Sequence, residues 1–208
     1  FAVFIIILIG IINAFGIKKV GQFQFITTIL KIIPLLATII IGFFVFNLSN
    51  FTPINISQET NLEALTITTA LTFFAFLGIE SATIPADGIK NPKSTIPKAT
   101  MIGTSLTFLI YVLSSIAIIG IMSPSEIVLS NAPYADAMGF VLGESAKSII
   151  AIFAIISGLG CLNGWTLLQI EIPRSLAKKK LLGSIFSDKG SNRVPTKGLI
   201  ISIILVII

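Results

Sequence analysis

The sequence predicts an all-α integral membrane protein in which one membrane helix is broken at about residues 78–85. Three observations predict it. The chain is 54% hydrophobic and 11% charged, whereas a soluble domain is about 45–50% apolar and about 25% charged. Its mean hydropathy is +1.01, and runs such as IIILIGII and TIIIGFFVF reach toward the roughly 20 apolar residues that a helix needs to span a bilayer. The stretch FFAFLGIESATIPADGIKNPK, residues 73–93, begins as a membrane helix and then brings in Gly78, Glu80 and Pro85.

Six apolar segments follow in order. Residues 1–17 read as the tail of one helix, and 24–46 as a complete span with Lys31 and Pro34 inside it. Residues 64–87 are the broken segment, and 99–122 are a clean span. Residues 146–170 are rich in small residues, with SGLGCLNGW at the centre, and 198–208 open a further span. The chain starts at Phe1 without Met and stops inside an apolar run, so it is expected to be a fragment of a larger protein. No soluble domain, low-complexity tract or short-period repeat interrupts it.

Charge gives the orientation. Lys18 and Lys19, then Lys90, Lys93 and Lys98, then Arg174, Lys178, Lys179, Lys180, Lys189, Arg193 and Lys197 occupy alternate loops, and account for 12 of the 14 basic residues. The other loops, 47–63 and 123–145, hold Glu59, Glu63, Glu126, Asp136 and Glu144 and no base, and Lys147 stands at the edge of the fifth segment. Positive loops stay in the cytoplasm. Residue 1 is therefore expected on the outer side of a multi-pass protein of the inner (plasma) membrane. The net charge of +5 belongs to these loops, so the expected macroscopic partner is the lipid bilayer and not nucleic acid. The Lys178–Lys180 run is a topology determinant that also suits anionic lipid.

One Cys and no His argue against a metal centre, and no cofactor is expected. Cys161, inside an apolar run, reads as a packing residue. There is no His base and no phosphate loop, so the chain does not read as an enzyme. Asn47 and Asn55 open N-x-S triplets, which matter only in a eukaryotic secretory route.

Glu80 is the first candidate for function. A carboxylate at membrane depth costs about 2.5 kcal/mol or more on insertion scales, so it belongs beside a cavity or a partner, unless it lies near the inner surface and reaches water. Gly78 and Pro85 flank it, and interrupted helices mark transporter binding sites; a plain proline kink is the other reading. Lys31 lies roughly 12 Å along its helix at ~1.5 Å per residue. It either snorkels to the interface or, desolvated, loads and releases a proton. Trp165 is the single Trp, set among Gly158, Gly160 and Gly164. It either stacks on a cationic ligand or packs in the core.

These residues carry a resemblance. FFAFLGIESATIPADGIKNPKSTIPKA, with its F-x-G-x-E-S and K-N-P-x-x-x-I/V-P-x-A patterns, resembles the sixth-helix signature of the amino acid–polyamine–organocation transporters. The bacterial arginine/agmatine and putrescine/ornithine antiporters are the members it is most similar to. YVLSSIAIIGIMSPSEI and NAPYADAMGFVLGESA look like their seventh helix and the external helix after it, and GCLNGWTLL like their eighth. The resemblance runs from the family's fourth helix into its ninth.

It implies an inverted-repeat transporter fold, present here as a fragment, with broken first and sixth helices around a central substrate site. It implies secondary transport of amino acids or their amines, by proton symport or by exchange. By position, Phe74 corresponds to the aromatic gate. Gly78, Ile79, Glu80 and Ser81 correspond to the unwound stretch whose carbonyls hold an α-ammonium, Leu77 adjoins them, and Glu80 is the gating carboxylate. Trp165 corresponds to an aromatic beside the substrate side chain. Lys31 in TILKIIPLL looks like the fifth-helix lysine of proton-coupled permeases. Two positions depart from the antiporters: Phe74 stands where they have Trp, and Lys31 is a permease feature. Glu171 and the Lys178–Lys180 run replace the small and acidic residues usual after the eighth helix. The first helix, which supplies half of the site in the family, lies outside the chain. A remnant or split permease that inserts without transporting is the alternative expectation, with a homodimer or a complementing fragment as partner.

Overall fold

A computed structural model describes residues 2–83, 89–187 and 195–207, without the side chains of Ile17, Glu80, Ala82 and Thr196. Pro85, Lys189 and Arg193, named above, lie outside the described residues. Those described form helices and no strand. In order they are α1 (Ala2–Ala14), α2 (Ile17–Phe44), α3 (Asn61–Phe73), α4 (Pro92–Ile121), α5 (Pro124–Leu129), α6 (Pro133–Leu142), α7 (Glu144–Lys178) and α8 (Thr196–Ile207). Among them α2, α4 and α7 are long and apolar enough to cross a membrane.

The helices outrun the apolar segments that mark them. α4 starts at Pro92, well ahead of residue 99, and α7 continues through Pro173 to Lys178. Hydropathy marks the part of a helix that lipid can cover, while backbone hydrogen bonding carries on into water. Pro92, Pro124 and Pro133 each open a helix, where the missing N–H is no loss. Pro34 sits inside α2, and its carbonyl accepts the hydroxyl of the fully buried Thr38 at 2.9 Å.

The chain divides into two compact units. One comprises Ile32–Phe153. Its core joins Ile118, Ile121 and Met122 of the end of α4 to Ala137 of α6. A second cluster joins Ala135 and Met138 of α6 to Ile150 of α7. Gly42 lets α2 meet α4, because a Cβ there would stand 2.7 Å from that of Ala117. A short 3₁₀ turn, Leu48–Phe51, closes over the end of α4. Asn47 N donates to the Gly120 carbonyl at 2.8 Å, and Asn50 Nδ2 donates to that of Ile119 at 2.9 Å.

The other unit comprises Phe1–Lys31 and Ala154–Ile208. Here α1 packs on α8, and α2 lies close to α7. A Cβ on Gly160 would fall 2.6 Å from Thr27 Oγ1. Along α2, α4 and α7 many large apolar side chains are exposed, among them Ile33, Ile40, Ile102, Phe108, Ile152 and Ile155. Helices that are apolar all round require lipid or further helices about them.

Candidate functional site

The broken helix is built from its N-terminus. Thr60 and Glu63 form a reciprocal capping box that starts α3, which satisfies two of the amide donors orphaned at a helix start. The α-helix stops at Phe73 and tightens into a 3₁₀ turn, Phe74–Phe76. Leu77 is extended, with φ −62° and ψ 140°. Gly78 follows at φ +97°, a conformation that glycine reaches without the steric cost of a Cβ. A second 3₁₀ turn spans Ile79–Thr83. Ser81 locks it, with both its backbone N–H (3.0 Å) and its hydroxyl donating to the Gly78 carbonyl. Interruption thus begins at Phe74, earlier than the expected 78–85, because the loss of α-helical hydrogen bonding precedes the residue that needs a positive φ.

This turn borders a cleft of about 380 Å³. Leu77, Gly78, Ile79 and Ser81 line it on one side, and Thr100, Gly103, Thr104 and Thr107 of α4 on the other. The α4 residues follow i, i+3, i+4, i+7 spacing and so share one face. None of the three threonine hydroxyls bonds to any described residue, whereas Thr66, Thr69 and Thr72 of α3 each donate to the carbonyl four residues back. The α4 stripe therefore offers the cleft unspent hydroxyls. The sequence reading passed over it, although its spacing in TMIGTSLT was readable.

Phe76 anchors the turn to α4, its ring 5.8 Å from that of Tyr111 and 6.5 Å from that of Phe108. Phe74 is 69% exposed, so its ring is not needed for this packing. The Glu80 backbone belongs to the second turn, and its side chain lies outside the described residues.

The remaining candidates belong to the other unit. Lys31 is half-buried on α2. Trp165 is 50% exposed on α7. Cys161, expected to pack, is exposed instead. It stands four residues before Trp165, on the same side of α7, which is turned away from the Gly160 contact with α2. Glu171 gains a partner: Arg174 donates to it at 2.8 Å, and both are buried. The pair neutralises itself one turn apart on α7.

Residues 1–208 match the amino acid permease family over their whole length, and the chain belongs to that family. It is 29% identical over 192 residues to the cadaverine/lysine antiporter of Escherichia coli K12, covering 92% of this chain and 43% of that protein. It is 29% identical over 202 residues to the putrescine transporter PotE of Haemophilus influenzae, covering 95% of this chain and 46% of that protein. A putative arginine/ornithine antiporter of Bacillus subtilis is 28% identical over 199 residues, with 90% and 41% covered. The chain thus spans less than half the length of these relatives.

Proposed function

We propose that this chain forms part of the substrate site of a secondary transporter for amino acids or their amines in the plasma membrane. The observation that carries the proposal is the helix interruption at Gly78, which opens onto the hydroxyl-lined cleft beside α4. Non-helical backbone at membrane depth is stable only where protein or a wet cavity adjoins it. An interrupted helix presents backbone dipoles to a zwitterion or a cation. Membership of the permease family and the activities named for the relatives supply the substrate class.

In this reading Phe74 is the aromatic gate, and the turn from Leu77 to Ser81, Glu80 included, holds the substrate's ammonium. Trp165 stacks on its side chain, and Lys31 couples transport to protons. The basic loops face the cytoplasm and residue 1 lies on the outer side. No covalent step is involved, so the protein is not an enzyme.

The test is uptake of radiolabelled L-lysine, L-arginine and L-ornithine into cells expressing the intact permease, with cadaverine and putrescine as competitors. Saturable uptake of at least one is expected. Gly78→Ala places a Cβ at φ +97°, a strain of roughly 1–2 kcal/mol, and is expected to abolish uptake while membrane insertion persists. Saturable uptake that survives Gly78→Ala unchanged would remove the turn from the site.

A further inference from the structure

Three amide side chains meet where α1, α2 and α7 come together, and the sequence reading assigned none of them. Asn13 Nδ2 donates to Asn163 Oδ1 at 3.2 Å and to the Ile9 carbonyl at 2.9 Å. Asn163 Nδ2 donates to Gln24 Oε1 at 2.9 Å. Asn13 is 1% exposed and Asn163 is wholly buried. Burying an amide costs free energy that an apolar side chain would avoid. Asn13 bears that cost incompletely offset, because its Oδ1 has no partner among the described residues. Besides bonding within its own helix, the contribution Asn13 makes that a leucine would not is a directional bond to Asn163.

Asn163 lies between two glycines of the same helix. A Cβ at Gly160 would meet Thr27 of α2, and one at Gly164 would lie 3.7 Å from Gln24 Oε1. Glycines let helices approach closely, but a surface without side chains offers little resistance to rotation. The amide bonds supply what the glycines lack, a fixed angle of α7 about its own axis. At about 100° per residue, Trp165 points roughly 200° away from Asn163, and the two side chains are respectively half exposed and wholly buried. Cys161 precedes Trp165 by four residues and shares its face.

We infer that Asn163, anchored by Asn13 and Gln24, is a positioning residue that fixes the rotation of α7 and thereby the direction in which Trp165 faces. Its consequence for transport rests on the role proposed for Trp165. The positioning itself does not, and it is read without substrate.

The experiment uses the intact permease in native membranes, with Cys161 as its only cysteine, and measures the rate of maleimide labelling. Asn163→Ala and Asn13→Ala are each expected to change that rate by roughly fivefold, the scale of one or two interhelical hydrogen bonds. The double variant should change it no further than either single one. Thr27→Ala alters packing at the same seam but leaves the amides joined, and is expected to hold the rate within about twofold. Gln24→Met, at the half-buried edge of the network, keeps the test open if the Asn variants fail to fold, and should by itself change the rate beyond the twofold allowed for Thr27→Ala. Unchanged labelling in the Asn and Gln24 variants would overturn the inference. So would an equal shift in Thr27→Ala, which would reduce the effect to packing. A parent that takes up none of L-lysine, L-arginine and L-ornithine while labelling responds as expected refutes the transport reading alone.

Discussion

At Gly160 an added Cβ would stand 2.6 Å from Thr27 Oγ1, whereas at Gly158 it would meet nothing within 4 Å. Thr27 has little room to yield. Its hydroxyl donates to the carbonyls of Phe23 and Gln24, each at 3.1 Å, and a β-branched side chain on a helix is stiff about χ1. Gly160→Ala is therefore expected to destabilise the protein by about 1–3 kcal/mol. Gly158→Ala is expected to be neutral or to stabilise by up to about 1 kcal/mol, because alanine is the better helix former. Thermal unfolding of the detergent-solubilised permease measures both, and equal effects would show that Gly160 does not bear on α2. The SGLGCLNGW motif was legible in sequence as a cluster of small residues around Trp165. Which glycine touches a neighbour was not legible, because that depends on the register between α2 and α7, and register is a tertiary property. Asn163 was missed for a related reason. A neutral amide sends no charge signal, and its partners Asn13 and Gln24 lie about 150 and 139 residues away in the chain.

Among the elements, the segment between α4 and α7 shows how a short helix is kept in place. α5 has only six residues and starts on a capping box in which Ser123 and Glu126 bond reciprocally. The Ser123 hydroxyl first, and then the Ser123 backbone N–H, donate to the Glu126 carboxylate and hold its pKa below the usual value. In α6, Asp136 accepts the Ser130 hydroxyl and pairs with Lys147 of α7 at 3.1 Å. The Ser130 hydrogen bond first, and then Lys147, lower the Asp136 pKa. A carboxyl depressed in the fold contributes stability that is fully present above its unfolded pKa, about 3.9. The contribution is lost as pH falls through the depressed folded value. Amide protection over residues 130–147, taken relative to the intrinsic exchange rate at each pH, is therefore expected to fall on acidification below about pH 4. Asp136→Asn should exchange faster at neutral pH and lose that acid dependence. A segment whose protection in the parent ignores acid would show that the pair does not hold α6 to α7. The capping spacings S-x-x-E and T-x-x-E stand in the sequence, although no helix start was read from them. The pairing across α6 and α7 was not legible, because Lys147 read only as a charge at a span edge.

At the scale of the whole molecule the charges carry the orientation proposed for the chain. The loops carrying 12 of the 14 basic residues alternate with loops that carry Glu59, Glu63, Glu126, Asp136 and Glu144. A loop with several lysines is retained on the cytoplasmic side during insertion, and this holds whether or not the protein transports anything. The structure adds what can be reached from water. Ser57 is exposed, with its hydroxyl on the Asn55 side chain at 2.6 Å, and Ser184 is exposed just after the Lys178–Lys180 run. In the intact permease freed of other cysteines, Ser57→Cys is expected to react with a membrane-impermeant maleimide in whole cells. Ser184→Cys should react only after permeabilisation. The reverse pattern would invert the assignment and place Lys178–Lys180 outside. Labelling of both in whole cells would mean that an even number of crossings, and not the expected three, separates the two loops.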